Sequence, residues 1–145
     1  MSESLVSSIA RTALLVVTAF VALTALLGGL ALVLGATVPS LATVLSPPVD
    51  YLAGTPFTSY LLPGLVLGIV VAGTHAVAFV LELKRHRWAD LSAAVAAFAV
   101  LIWIFIQMIF IPFSFLQAVY FVAGVAEAGL VMVRLDLFGR LAKTA

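Results

Sequence analysis

Apolar residues run along this chain in four long blocks rather than in short alternations. The blocks extend from about Thr12 to Leu34, Leu61 to Leu83, Leu91 to Ile111 and Phe115 to Val133. Each is long enough to cross a bilayer as an α-helix, for which about 20 predominantly apolar residues suffice. The pattern predicts an all-α integral membrane four-helix bundle, with residues 1–145 forming one transmembrane domain. Ser2 to Arg11 reads as a short polar leader at the interface, residues 35–60 as an apolar, proline-rich loop, 84–90 as a short loop and 134–145 as a tail. Only Pro112 and its neighbours separate the last two blocks. One helix through both would be roughly 64 Å long at 1.5 Å per residue, about twice the hydrocarbon thickness, so the chain must reverse there. Pro112 and Ser114 suit a turn, and Phe110, Phe113 and Phe115 place it shallowly in the interface or against protein.

Composition sharpens this picture. Of 145 residues, 65% are hydrophobic and 9% charged, and the mean hydropathy is +1.31. A soluble domain carries roughly a quarter charged residues, so water is not the main solvent here. A net charge of +1 gives no case for nucleic acid as a partner. With no cysteine, disulfides, thiolate catalysis and cysteine-based metal or iron–sulfur sites are excluded.

The basic residues are informative by position. Arg11 precedes the first span, Lys84, Arg85 and Arg87 follow the second, and Arg134, Arg140 and Lys143 follow the fourth. Four crossings put all of them on one side, and the positive-inside rule makes that side cytoplasmic, with both termini in. The protein is therefore expected in the plasma or inner membrane. Lys84, Arg85 and Arg87, with Trp88, form a basic anchor, and contact with anionic headgroups is a secondary use. A cleavable signal peptide is the competing reading of the first span, but its apolar run exceeds the 7–15 residues of an h-region and Gly35-Ala36 matches a cleavage site weakly.

The loop over residues 35–60 contains Pro39, Pro47, Pro48, Gly54 and Pro56, with Asp50 as its single charge. Proline precludes one continuous helix, although Ser40 to Leu45 can form a turn of one. Leu41, Val44, Leu45, Val49 and Leu52 make it too apolar for a solvated linker. Two readings stay open: a cap over the outer mouth of the bundle, with Tyr51 and Tyr60 at headgroup depth, or an irregular loop on the lipid surface.

In lipid, apolar side chains gain little from one another, so helix contacts depend on small residues. Gly64, Gly68, Ala72 and Ala76 recur every four residues in the second span, and Gly124 marks a comparable face of the fourth. Packing within the chain is the favoured use, self-association the second. Two ionisable residues lie inside the spans, His75 and Glu127. At roughly 1.5 Å per residue they stand about 13 Å inward of Lys84 and about 10 Å inward of Arg134, which allows them to meet between the second and fourth helices. A charge at mid-bilayer costs about 3 kcal/mol or more, so such a pair has a reason to be there. The plainer reason is a structural hydrogen bond worth about 0.6–2 kcal/mol, and the other is a proton-linked site. Gln107 and Gln117 read as partners for backbone near the outer turn, Thr18 and Thr24 as bonded to their own helix, and Glu82 as a boundary residue beside Lys84, Arg85 and His86.

The stretch Pro56-Phe57-Thr58-Ser59-Tyr60-Leu61-Leu62-Pro63-Gly64-Leu65, followed by Arg87-Trp88, Trp103-Ile104, Gln107, Leu116-Gln117, Tyr120 and Gly124, resembles a family of small bacterial and archaeal four-span membrane proteins. The resemblance covers about Gly54 to Val133 and implies topology alone, since that family has no assigned activity. Pro63 fits the first turn of the second helix, where its missing N–H is no loss.

The expected role is a non-catalytic accessory, scaffold or oligomeric membrane component, partnered by membrane lipids and by a second copy or another membrane protein. The alternative is a small oligomeric, proton-linked transporter or channel in which His75, Glu127 and Thr18 or Thr24 share a cavity. Catalysis is not expected, because the spans lack a nucleophile with its base, an HExxH motif or paired aspartates. No cofactor or metal is expected; in particular, His86 in the loop and His75 in the bilayer do not form a haem ligand pair.

Overall fold

The computed structural model describes residues 3–136, with side-chain burial from residue 5. The expected tail cations Arg140 and Lys143 lie outside the described residues. Four long helices make up the fold: α1 (Glu3–Thr37), α2 (Leu61–Leu83), α3 (Ala89–Phe110) and α4 (Phe115–Arg134). All four are long and apolar enough to cross a membrane, which identifies a multi-pass, all-helical protein. α1 packs against α2 and α4, and α3 packs against the same two, so α2 and α4 stand diagonally across the bundle.

α1 differs from the expected 12–34 span. Its 35 residues extend to about 52 Å at 1.5 Å per residue, because Glu3 to Arg11 continues the helix instead of forming a separate leader. No glycine or proline interrupts the chain before Gly28. From Ala10 to Gly29 its buried residues, Ala10, Leu14, Thr18, Val21, Ala25 and Gly29, repeat at intervals of three or four, one stripe facing the other helices, and Gly35 is buried near its end.

α2 is not α-helical throughout. Val66–Val71 forms a wider π turn, in which the Ala72 N–H donates to the Leu67 carbonyl five residues back. The segment is rich in β-branched residues, which crowd an α-helix. Beyond it the buried face runs Val71, Ala72, His75, Ala78 and Glu82. The expected small-residue stripe therefore needs correction at one end: Ala76 is exposed. Lying one position after His75, it is turned about 100° away from the core. Gly64 and Ala72 are buried and Gly68 is half-buried.

The glycines bring backbones together. A Cβ on Gly29 would stand 2.6 Å from the Gly68 nitrogen and 2.7 Å from the Gly64 oxygen, and one on Gly64 would stand 2.9 Å from the Gly29 oxygen. The GxxxG of α2 is thus filled by α1 of the same chain. Gly124 does the same between α4 and α3, where a Cβ would meet Val100 and Leu101 at 2.8 Å.

Between α1 and α2 the chain makes a 3-10 turn at Pro39–Leu41, a helical turn at Ala42–Leu45 and a second 3-10 turn at Val49–Leu52. Gly54 has φ +82°, a left-handed conformation that glycine adopts without strain. Tyr60 immediately precedes α2. It is buried at 5% exposure, and its hydroxyl donates to the Pro48 carbonyl at 2.8 Å. That bond ties the loop to the entry of α2, and burial, with Tyr51 nearby, pushes the phenol above its ordinary pKa. The reversal between α3 and α4 ends in a capping box, with Gln117 Oε1 accepting from the Ser114 N–H at 3.0 Å and Ser114 Oγ accepting from the Gln117 N–H.

Candidate functional site

His75 and Glu127 are brought together. Nε2 of His75 lies 3.1 Å from Oε2 of Glu127, and both side chains have 0% exposure. Because α2 and α4 are diagonal neighbours, this is no ridge-and-groove helix contact. The two long side chains reach across the bundle from α2 to α4. Val21, Ala25, Val71, Ala72, Val100 and Ile104 form an apolar cluster on one side, and Leu14, Ala78, Ala93, Ala96 and Val131 form another. His75 and Glu127 fall between the two clusters along their helices.

The acceptors fix the proton inventory. Nδ1 of His75 stands 2.7 Å from the Val71 carbonyl, which only accepts, so Nδ1 carries hydrogen. In a neutral imidazole Nε2 is then an acceptor, and a bare carboxylate facing it would be repelled. One proton therefore sits on the Nε2–Oε2 line. Glu127 Oε1 has no hydrogen-bond partner among the described residues although it is buried. The arrangement can hold a proton, but neither side chain opens to solvent.

A second polar layer was not recognised in the sequence. Glu82, expected at the boundary, is only 2% exposed. Its Oε1 accepts from Arg134 Nη1, and Arg11 Nε lies 3.5 Å from the same oxygen. Arg11 Nη2 also donates to the Glu82 backbone carbonyl at 2.9 Å, and Arg134 Nε lies 3.1 Å from Asp90 Oδ1. The quartet takes one residue from each helix, two cations and two anions. Arg134, read as the start of the tail, is the last residue of α4, and Arg11 is a core-facing residue of α1 rather than part of a leader. A signal existed: Glu82 follows His75 by seven residues and Arg134 follows Glu127 by seven, so both pairs join α2 to α4 at the same register.

The remaining expected residues separate by environment. Thr18 and Thr24 bond back to the Leu14 and Phe20 carbonyls, each at 2.7 Å. Lys84, Arg85 and Arg87 are exposed in the loop between α2 and α3, where Arg87 lies over the Trp88 ring at 5.1 Å. Among the described residues, no three His, Asp or Glu side chains converge where a metal ion could be held. Comparison with protein-family models, curated proteins and solved structures finds no match.

Proposed function

We propose that this chain is a non-catalytic component of a membrane: a rigid four-helix unit that acts through its outward faces. The observation that carries the reading is the dry His75–Glu127 contact. A pair at 0% exposure, flanked along both helices by apolar clusters, serves to fix which helices lie diagonal and in what register. A transport site would need access from at least one side. The outward faces carry large exposed hydrophobics along every helix, among them Leu23, Ile69, Phe98 and Val122, which suit lipid, a second copy or another membrane protein. The exposed Lys84–Arg87 loop and the charge quartet share one end, which we assign to the cytoplasmic side of the plasma or inner membrane, with both termini.

Proton flux into proteoliposomes tests this. Wild type and Glu127→Gln are expected to give the same background rate under an imposed pH gradient. Flux in the wild type that Glu127→Gln abolishes would replace this reading with proton-linked transport.

A further inference from the structure

Two cavities adjoin beneath the proline-rich loop, at the end of the bundle remote from the charge quartet. The larger, about 410 Å³, is walled by all four helices, with Thr24 from α1, Leu67 from α2, Trp103 from α3 and Tyr120 from α4. It falls within the roughly 300–1,000 Å³ of small-molecule sites. The smaller, about 240 Å³, lies between the loop and the ends of α2 and α3. Tyr51, Trp103 and Gln107 belong to the walls of both, so these three stand where the cavities meet. Among the described residues, no Asp, Glu, Lys or Arg lines either one.

The chemistry of the walls selects an occupant. An acyl chain gains no more from apolar protein than from neighbouring lipid, so these walls would not by themselves retain a tail. Discrimination must come from the groups that lipid lacks: aromatic faces and hydrogen-bond donors. Trp103, Tyr51 and Tyr120 supply the faces, which favour offset or edge contact with a flat ring. Gln107 supplies the donor. No side-chain hydrogen bond ties its amide to a described residue, and it borders both cavities, whereas Gln117, whose Oε1 is engaged in the capping box, borders only the larger. A carbonyl is the complement of an amide N–H in a low-dielectric site. The uncharged walls exclude an ionised headgroup.

We propose that this chamber binds a neutral membrane-resident molecule with a flat, carbonyl-bearing ring and an apolar tail, the quinone class, with a ring carbonyl accepting from Gln107. Binding alone is inferred. The site lies on the opposite side of the first apolar cluster from His75 and Glu127, and it stands whether or not that pair moves protons.

The chain's two tryptophans allow a direct test. Trp88→Phe leaves Trp103 in the cavity wall as the sole fluorophore, while Trp103→Phe leaves Trp88 in the basic loop as a reporter of simple partitioning. Both proteins in detergent micelles are titrated with a decyl-tailed benzoquinone, a quencher of indole emission. Trp103 emission is expected to fall along a saturating curve and Trp88 emission along a shallow line. In the Trp88→Phe background, Gln107→Leu is expected to weaken half-saturation about tenfold, the equivalent of one hydrogen bond. Tyr51→Ala, outside the spans, is expected to weaken it as well with unchanged helical circular dichroism. Linear quenching of Trp103, or saturation unmoved by both variants, overturns the proposal. So does recovery of emission with excess monoacylglycerol, which would make the site one for acyl lipid.

Discussion

His75 owes its tautomer to Val71, and Glu127 owes its partner to that tautomer. With Nδ1 held by the Val71 carbonyl, the face turned to Glu127 requires one shared proton. A glutamine at 127 presents an N–H at the same place, so Glu127→Gln is expected to cost less than about 1 kcal/mol of stability. Glu127→Leu strands Nε2 in a dry core, which costs about 1–3 kcal/mol. Contact implies non-additivity: thermal unfolding in detergent of His75→Leu, Glu127→Leu and the double variant should give a coupling of about 0.6–1.7 kcal/mol. Additive losses would show that the two side chains do not share a bond. Much of this pair was readable in the sequence, because an ionisable residue inside a span is rare and depth can be counted from the nearest cation. The role of Glu82 was not, because its closeness to Lys84, Arg85 and His86 marks it as a boundary residue rather than a buried one. Its partners Arg11 and Arg134 come from other helices, 71 and 52 residues away.

Among the elements, α2 shows most clearly what a sequence pattern can and cannot convey. Four apolar blocks define four helices because span length and side-chain polarity depend on local composition. The face that each helix buries depends on its neighbours and on the exact winding. The i, i+4 spacing of small residues in α2 located Gly64, Gly68 and Ala72 correctly within the packed region, but the stripe carried Ala76 out of the core. The π turn at Val66–Val71 left only a diffuse trace, a run of β-branched residues around Gly68. The matching glycine of α1, Gly29, carried no repeat of its own, and only the fold shows that it closes on the GxxxG. Substitutions should separate these roles. Gly29→Ala drives a methyl into the Gly64 and Gly68 backbone and is expected to lower stability by about 1–3 kcal/mol. Gly73→Ala, whose added Cβ meets nothing within 4 Å, should be neutral or slightly stabilising, since alanine is the better helix former. Equal midpoints for the two variants would contradict the close α1–α2 approach.

For the whole molecule, the charge quartet does for the bundle what a hydrophobic core does in water: it gives the four helices a reason to hold one arrangement in a solvent indifferent to apolar contact. Because both guanidinium groups converge on one Glu82 oxygen, Glu82→Leu leaves Arg11 and Arg134 without their common acceptor. A loss of about 3–5 kcal/mol is expected, read as a fall in thermal midpoint that Glu82→Asp partly restores. The orientation proposed above rests on the same distribution of charge. Arginine pairs and the exposed Lys84–Arg87 loop gather at one end, while the loop at the other has Asp50 as its sole charge. Inserting the molecule the other way would send that basic loop across the bilayer and leave the cytoplasmic side with no lysine or arginine near the helix ends, against the bias that sets orientation. Because the chain has no cysteine, a single introduced one reports its own side without background. Asp50→Cys is expected to react with a membrane-impermeant maleimide in intact cells, and Arg85→Cys only after lysis. The reverse pattern would invert the topology, and reaction of both in intact cells would mean that the chain does not cross the membrane between them an odd number of times.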